Sequence, residues 1–385
     1  MQRRKICVVT GSRADYGLLS VVMKELRQDA GFTLQVIAAG MHLSPKFGLT
    51  YRVIEEEGFH IDAKVEMCLT NDTPAGIAKS IGVGVSGFAD VFATLQPDLL
   101  VLLGDRFEIL AAAQSALVAM IPVAHIAGGD TTEGAFDESI RHCITKMSHL
   151  HFVTNESAAR RVRQLGENPE HIYMVGSPGL DLIKSVQLLG RKELENDLEF
   201  SFQKRNFLVT FHPATLDRQP AGEQFQELLD ALDSLGNDVG LFFTKPNADT
   251  GGGVIIQMIN EYVGSRKHAK AADSLGQPRY LSMVAQVDAV VGNSSSGLYE
   301  VPSFKKPTVN IGDRQKGRLQ ASSVINCKPE SADILRAIKE AFDKDCSDVV
   351  NPYGSGDSAK KIIVALKAVP DYQALLKKHF FDMNP

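Results

Sequence analysis

The stretch PDLLVLLGDRFEILAAAQSALVAMIPVAHIAGG, residues 97–129, decides the fold. An apolar run of strand length is followed by a polar turn, a segment with helical spacing of its apolar residues, and a second strand-like run that ends on two glycines. Strands that are apolar on both faces are typical of parallel sheets covered by helices on both sides. The stretch therefore predicts a β-α-β unit in a buried parallel sheet.

Similar units extend from this stretch in both directions. KICVVTG, YGLLSVVMKELRQ and FTLQVIAAG precede it, and NFLVTFHPA, EQFQELLDALDSLG and GLFFTKPN repeat the scheme in the second half. Glycine and proline interrupt the pattern in YMVGSPGLDLI, before a new strand near Asn206. The sequence predicts an α/β protein with two Rossmann-like domains, 1–178 and 179–359. It also predicts helices in the closing segment, at DSAKKIIVALKAV and DYQALLKKHF.

The composition limits the class of protein and its partners. The chain has 385 residues, 44% of them hydrophobic, and a net charge of −5. This balance leaves no basic surplus for a nucleic-acid backbone, so we expect no nucleic-acid partner. We find no apolar run of the roughly 20 residues that a membrane helix needs, and we expect a cytoplasmic protein without a membrane partner. Five cysteines without a CxxC pair indicate neither a disulfide framework nor a cysteine metal site.

Polar residues of the first half gather where predicted strands end, which is where open α/β sheets bind ligands. Arg13 follows the first strand, and Asp105 and Arg106 follow the fourth. The segment after the fifth strand adds four carboxylates, Asp130, Glu133, Asp137 and Glu138. Clustered carboxylates raise the pKa of some of their members, which makes them candidates for general acid and base. A helix cap explains one or two of these acids, but it leaves Asp105 on the neighbouring loop unexplained.

The second half offers groups that suit a phosphate. Small residues and hydroxyls in GNSSSG let backbone N–H groups approach an anion, although serine-rich helix starts are more often plain caps. Glu300 suits a ribose diol or the start of a helix, and His212 suits a leaving phosphate or a plain loop. The candidate binding residues here are Asn247, Ser294, Ser295, Ser296, Gly297, Glu300 and Arg314.

Two readings of these residues remain open. Acids in one half and phosphate-holding groups in the other suggest cleavage of a sugar from a nucleoside diphosphate. A metal site of Asp105, His125 and Asp130 is a minor alternative, because no metal-ligand spacing supports it. We expect no metal and no cofactor.

Eight segments in order closely resemble the hydrolysing UDP-N-acetylglucosamine 2-epimerases of bacterial sialic acid synthesis. They are GSRADYGLL, GMHLSPKFG, LLGDRFE, TTEGAFDESIRHCITKMSHLHF, FHPAT, NSSSGLYE, IGDRQKGR and NPYGSGDSAKKI. The resemblance covers nearly the whole chain. It implies a GT-B-like fold, with two Rossmann-like domains facing a central cleft and residues 360–385 returning to the first domain.

The resemblance also implies a reaction and roles. A base removes the C-2 proton while UDP leaves C-1, and water adds to the resulting glycal to give N-acetylmannosamine. Asp105, Asp137 and Glu133 or Glu138 would handle protons and water. His212 would act at the leaving phosphate, and His42 would line the sugar pocket. The remaining binding roles would fall to Arg13, Arg106, Asn247, Ser294, Ser295, Ser296, Gly297, Glu300 and Arg314.

One residue departs from the family pattern. Many relatives have a glutamate implicated in catalysis where this chain has Ala127. Either Glu133 takes over its function or the substrate differs. The first prediction is UDP-N-acetylglucosamine, and the alternative is UDP-2,4-diacetamido-2,4,6-trideoxyglucose of legionaminic acid synthesis, towards which the alanine shifts weight.

Two other functions compete with an epimerase. A GT-B glycosyltransferase would keep the diphosphate-binding half but leaves the acid cluster without a task. A nucleotide-sugar sensor would bind UDP without turnover. In every case the partner is a small nucleotide sugar, and the resemblance implies a homodimer or homotetramer.

Overall fold

The computed structural model describes residues 3–67, 73–132, 136–213, 219–236, 238–246, 252–273 and 275–383. The chain divides into two compact units. The first comprises Met1–Thr131, Phe136–Leu182 and Tyr353–Pro385, and the second comprises Thr132–Ala135 and Ile183–Pro352. The sequence pattern set the division after residue 178 and the return at residue 360. The structure divides later because the helix that begins at Pro178 buries Leu180 and Leu182 in the first unit.

The first unit is built on a parallel sheet of seven strands in the order β3-β2-β1-β4-β5-β6-β7. Its strands are β1 (Arg4–Thr10), β2 (Phe32–Ala39), β3 (Ala63–Val65), β4 (Leu99–Leu103), β5 (Val123–Ile126), β6 (Leu150–Val153) and β7 (Ile172–Met174). Its helices are α1 (Arg13–Gln28), α2 (Tyr51–Glu56), α3 (Pro74–Leu95), α4 (Phe107–Val118), α5 (Asp137–Met147), α6 (Glu156–Gln164) and α7 (Pro178–Ser185). Apolar clusters cover both faces of the sheet, so all five residues of β4 are buried.

The second unit repeats the scheme with six parallel strands in the order β10-β9-β8-β11-β12-β13. Its strands are β8 (Arg205–Thr210), β9 (Val239–Thr244), β10 (Ala269–Ala272), β11 (Ala289–Gly292), β12 (Thr308–Ile311) and β13 (Val324–Cys327). Its helices are α8 (Arg191–Leu198), α9 (Ala221–Asp233), α10 (Gly252–Gly264), α11 (Gly276–Gln286), α12 (Ser296–Tyr299) and α13 (Ser331–Asp343).

The last helix, α14 (Ser358–Ala368), packs on the first unit. Asp181 caps it: one carboxylate oxygen accepts from the Ser358 amide at 3.0 Å, and the other accepts from the Ala359 amide at 2.7 Å. The prediction of a helix over DYQALLKKHF is wrong beyond a short 3₁₀ turn, Gln373–Leu376. The chain leaves helical geometry because Lys378 and Phe381 bond to the backbone of the first unit instead.

Within the described residues, one helix is long and apolar enough to cross a membrane by length and composition alone, Ala75–Leu95 of α3. The expectation that no apolar run reaches this length is therefore corrected. Phe88 and Phe92 of this helix are buried in the core of the first unit, and the Ser115 hydroxyl donates to the Val85 carbonyl at 2.8 Å. One face of α3 thus belongs to the helical layer on the sheet.

The fold class predicted from the sequence is confirmed. Both units are parallel sheets with flanking helices, and the C-terminal helix returns to the first unit. The carboxyl ends of β1, β4 and β5 meet at one edge of the first sheet, and those of β8, β11 and β12 meet at one edge of the second. These two edges carry the candidate site residues.

Candidate active site

A buried arginine organises the carboxylates of the first unit. Arg141 is only 2% exposed, and its guanidinium donates to Asp105 after β4 and, at 2.7 Å, to Glu138 in α5. It also donates to the backbone carbonyl of Asp130 at 2.5 Å. Planar guanidinium groups suit such multiple contacts with carboxylates. The structure therefore brings together Asp105, Asp137 and Glu138, as the sequence analysis expected, around an arginine that it missed.

Asp137 is the exception among these acids. Within the described residues, its carboxylate has no hydrogen bond or ion pair with another side chain. Burial and then the charge of Asp105 raise the pKa of Asp137 to about 6, against the opposing charges of Arg106 and Arg141. A carboxyl with a pKa near neutrality can both take and give a proton at physiological pH.

Arg106 is held by a buried acid of α4, Glu108. The guanidinium donates twice to Glu108, with both nitrogen–oxygen distances 3.2 Å, and Glu108 is completely buried. Gly40 makes room for this acid: with φ at +55°, it takes a left-handed backbone, and a Cβ atom there would lie 2.6 Å from Cγ of Glu108. The Arg106 side chain is 30% exposed, so it remains accessible to a ligand.

Two further candidates of the first unit differ in accessibility. Arg13 is exposed at the start of α1. His42 is completely buried, and its ring nitrogens lie 3.0 Å from the Thr10 hydroxyl and 2.8 Å from the Thr50 hydroxyl. Burial lowers the pKa of His42 to about 4. Both polar atoms of the ring thus contact threonines, and the place of His42 in a sugar pocket stays a prediction.

The metal alternative finds no support in this geometry. The His125 ring bonds to the Gly104 carbonyl at 2.7 Å and to the Thr145 hydroxyl at 3.1 Å. Asp130 accepts from the Thr154 hydroxyl at 2.5 Å and so serves the loop after β6. Among the residues that the structure describes, no three His, Cys, Asp or Glu side chains group as metal ligands.

Position 127 has a distinctive backbone. Ala127 directly follows β5 and adopts φ of +63°, a left-handed conformation that is uncommon for residues other than glycine. Its methyl group packs against the core of the first unit. This position therefore contributes neither a carboxylate nor any other polar side chain.

In the second unit, a buried asparagine frames the end of the sheet. The Asn293 side chain accepts from the His212 amide at 2.7 Å and donates to the His212 carbonyl at 2.8 Å. The Asn293 carbonyl accepts from Arg314 at 3.1 Å and from Gln315 at 2.8 Å. Burial and then the charge of Arg314 lower the pKa of His212 to about 3, so the ring is neutral at physiological pH. Its Nδ1 atom is buried without a partner among the described residues.

The serine-rich turn lies beside this frame. Ser294, Ser295 and Ser296 are partly exposed, and α12 begins at Ser296. The Tyr280 hydroxyl donates to the Ser296 hydroxyl at 2.7 Å. Gly297 is required by close packing, because a Cβ atom there would lie 2.6 Å from a methyl carbon of Thr308. Burial raises the pKa of Glu300, at the end of α12, to about 7.

Two predicted site residues lie outside the described part of the chain, and the structure adds two others. Glu133 and Asn247 lie outside the described ranges. Arg141 and Asn293 were missed by the sequence analysis. Arg141 follows Asp137 by one helical turn, and this spacing on one helix face was the signal that could have identified it. Asn293 directly precedes the serines that the analysis singled out.

A sequence profile described as UDP-N-acetylglucosamine 2-epimerase matches residues 24–367. This match includes residues of both units, among them Asp105 and Asp137 of the first and Asn293 and Arg314 of the second. The chain belongs to this epimerase family.

Two curated relatives are similar over most of their length. A "GDP/UDP-N,N'-diacetylbacillosamine 2-epimerase (hydrolyzing)" of Campylobacter jejuni is 43% identical over 345 residues, which cover 89% of this chain and 88% of the relative. A "UDP-N,N'-diacetylbacillosamine 2-epimerase (hydrolyzing)" of Legionella pneumophila is 36% identical over 375 residues, which cover 97% of this chain and 98% of the relative.

Solved structures of epimerases share the fold. The UDP-GlcNAc 2-epimerase from Neisseria meningitidis, bound to UDP-GlcNAc, superimposes with a TM-score of 0.82 at 18% identity. The match covers 95% of this chain and 100% of the epimerase chain. As a member of this epimerase family with a GT-B-like fold, the chain is an enzyme that acts on a UDP-sugar.

Proposed function

We propose that the chain is a hydrolysing 2-epimerase of UDP-2,4-diacetamido-2,4,6-trideoxyglucose, which is UDP-N,N'-diacetylbacillosamine. The products would be UDP and the free sugar inverted at C-2. The observation that supports this choice of substrate is the 43% identity to an epimerase named for this sugar. The carboxyl cluster of the first unit supports the reaction.

The reaction consists of an elimination and a hydration. In the elimination, a base takes the C-2 proton, the C–H electron pair forms the C-1=C-2 double bond, and the C-1–oxygen bond breaks with its electron pair leaving on UDP. Water then adds its oxygen to C-1, and a proton reaches C-2 from the opposite face. Because the C-2 proton is weakly acidic, the base must be well placed and the leaving group stabilised.

The residues of each unit suit one part of this reaction. Asp137, with its pKa near 6, is suited to proton transfer, and Ala127 offers no competing carboxylate. Arg314 and the serine-rich turn are suited to the diphosphate, since cationic and hydroxyl groups stabilise a leaving phosphate. Neutral His212 would act there as a hydrogen-bond donor, and Glu300 would bind the ribose.

The second candidate substrate is UDP-N-acetylglucosamine, which the description of the family profile favours. The two sugars differ at C-4 and C-6, so a pocket built for one discriminates against the other. We expect kcat/KM to be about tenfold or more higher for the diacetamido substrate. Release of UDP from each nucleotide sugar, measured at equal enzyme concentration, gives this ratio.

The same assay separates the alternatives. A preference for UDP-N-acetylglucosamine would select the second candidate. If neither sugar nucleotide turns over although the protein binds UDP, the proposed function is wrong and a sensor is favoured. Asp137→Asn serves as the catalytic control, and we expect it to bind UDP but not to turn over substrate.

A further inference from the structure

The carboxylates of the first unit are bound unequally, and Arg141 is the cause. Its guanidinium contacts Asp105 on the loop after β4 and Glu138 in the first turn of α5. Asp137 lies between these two in the chain and has no such contact within the described ranges. One cation thus binds two of the three neighbouring acids and leaves the third without a direct partner.

The backbone contact of Arg141 fixes this arrangement. Its donation to the Asp130 carbonyl at 2.5 Å ties the guanidinium to the loop after β5, and burial restricts it to one position. Three segments therefore meet at a single side chain: the loops after β4 and β5, and α5. A side chain in that position determines where Asp105 and Glu138 point.

We propose that Arg141 is a positioning residue for the elimination, which fixes the positions of Asp105 and Glu138 and leaves Asp137 as the group that takes the C-2 proton. This inference rests on the proposed function. After the elimination, Asp137 releases its proton to solvent, and the hydration supplies a proton to C-2. Asp105 would contribute its negative charge beside Asp137 rather than a proton-transfer step.

Several charged and titratable groups among the described residues act on this cluster. They are Asp15 in α1, Asp105 and Arg106 after β4, Glu108 in α4, His125 in β5, Asp130 after β5, and Glu138 and His142 in α5. Burial lowers the pKa of His125 to about 3, so it is neutral, and Arg106 is bound to Glu108. Loss of the Arg141 charge would therefore leave the charge of Arg106, among the described residues, to oppose the raised pKa of Asp137.

Arg141→Gln tests the proposal through its pH profile. Removing a positive charge stabilises protonated carboxyls, so the acidic limb of kcat should move upward by about one pH unit. We expect kcat to fall about 100-fold and KM to change less than about threefold. Arg141→Lys keeps the positive charge but loses the planar guanidinium with its several donors. It should therefore restore the pH position of the acidic limb and part of kcat. A loss of activity that is equal at every pH, or no loss, would overturn the proposal.

Arg161→Gln is the matched control. Arg161 donates to the Gly129 carbonyl at 2.9 Å and so supports the same loop, but from α6. We expect its kcat and its acidic limb to stay within about twofold and about 0.3 pH unit of the wild type. A shifted limb in this control would show that loop support alone produces the effect, and would overturn the assignment to Arg141.

A titration without substrate separates this inference from the proposed function. In carbon-13-labelled protein, the Asp137 carboxyl should titrate near pH 6, and Arg141→Gln should raise that midpoint. If the wild type releases no UDP, the proposed function fails, and this titration still tests Arg141. If Asp137 titrates below pH 4 in the wild type, the proposal is overturned even where the variant does not fold.

Discussion

Asp137 occupies a position that favours its protonated form. In an unfolded chain its carboxyl has the ordinary pKa of 3.8, whereas in the folded protein burial and Asp105 raise this pKa to about 6. Between these values the folded state binds more protons than the unfolded state. Stability therefore falls as the pH rises from about 4 to 6, and the whole deficit is present above pH 6.

Asp137→Asn should consequently stabilise the protein while it abolishes turnover. Asparagine carries no charge to desolvate, so the free energy of unfolding should rise by about 1 to 2 kcal/mol at pH 7.5. The gain should disappear near pH 3, where the wild-type carboxyl is protonated in both states. Urea denaturation of both proteins at the two pH values measures it. A variant that is less stable at pH 7.5 would contradict the raised pKa.

Sequence patterns identified the candidate acid and base residues more readily than the residues that position them. Asp105, Asp137 and Glu138 stood out as acids at predicted strand ends, and the structure brings them together. Arg141 did not stand out, since a charged residue in an amphipathic helix is ordinarily a surface residue. Only the fold shows that it is buried against two loops. The roles of all these residues remain predictions.

At the scale of elements, the cap of α14 joins distant parts of the chain. Asp181 in α7 accepts three hydrogen bonds from Ser358 and Ala359. No residue within α14 caps its first turn in this way, so the helix depends on a carboxylate from another element. Carboxylates near a helix start also interact favourably with the helix dipole.

Asp181→Ala should therefore detach the start of α14. We expect the free energy of unfolding to fall by about 1 to 2 kcal/mol, in the range of a lost helix cap. Asp345→Ala is the control, because Asp345 accepts from the Ser347 amide at 2.9 Å on the surface and joins no second element. Its urea midpoint should stay at the wild-type value. Equal effects of the two variants would contradict the account of the cap.

The sequence predicted the alternation of strands and helices better than their limits. Strands such as β1, β4 and β8 contain apolar runs of strand length, which a sequence pattern predicts well. Short edge strands such as β3 and β7 have three residues each, too few for a periodic pattern to show. The spacing of apolar residues in the closing segment predicted a helix, because such spacing does not reveal the contacts of this segment with Glu167 and Gly166.

At the scale of the whole molecule, the C-terminal tail is anchored by a buried ion cluster of the first unit. Glu167 is 1% exposed and lies 2.6 Å from Lys378, 2.9 Å from Lys146 and 2.9 Å from His151. Although burial opposes it, hydrogen bonds from these three residues lower the pKa of Glu167 to about 2. The cluster therefore stabilises the fold above pH 4.5 and loses its contribution as the pH falls towards 2.

Lys378→Ala should weaken this anchor. Glu167 keeps two partners, so we expect a loss of about 2 kcal/mol, less than for a buried charge left unpaired. Lys377→Ala, at the exposed neighbouring position, should leave the stability unchanged. The difference between the two variants should shrink as the pH falls towards 2. Denaturation curves from pH 7 to pH 2.5 test this, and a difference that is independent of pH would contradict the role of Glu167.

The most direct test of the account is the fate of the C-2 proton. The purified protein is incubated with UDP-2,4-diacetamido-2,4,6-trideoxyglucose in heavy water, and the sugar is followed by proton NMR. The account predicts free UDP together with 2,4-diacetamido-2,4,6-trideoxymannose that carries deuterium at C-2. Release of UDP with the original proton retained at C-2 would contradict it, since the bond to that proton would never have broken.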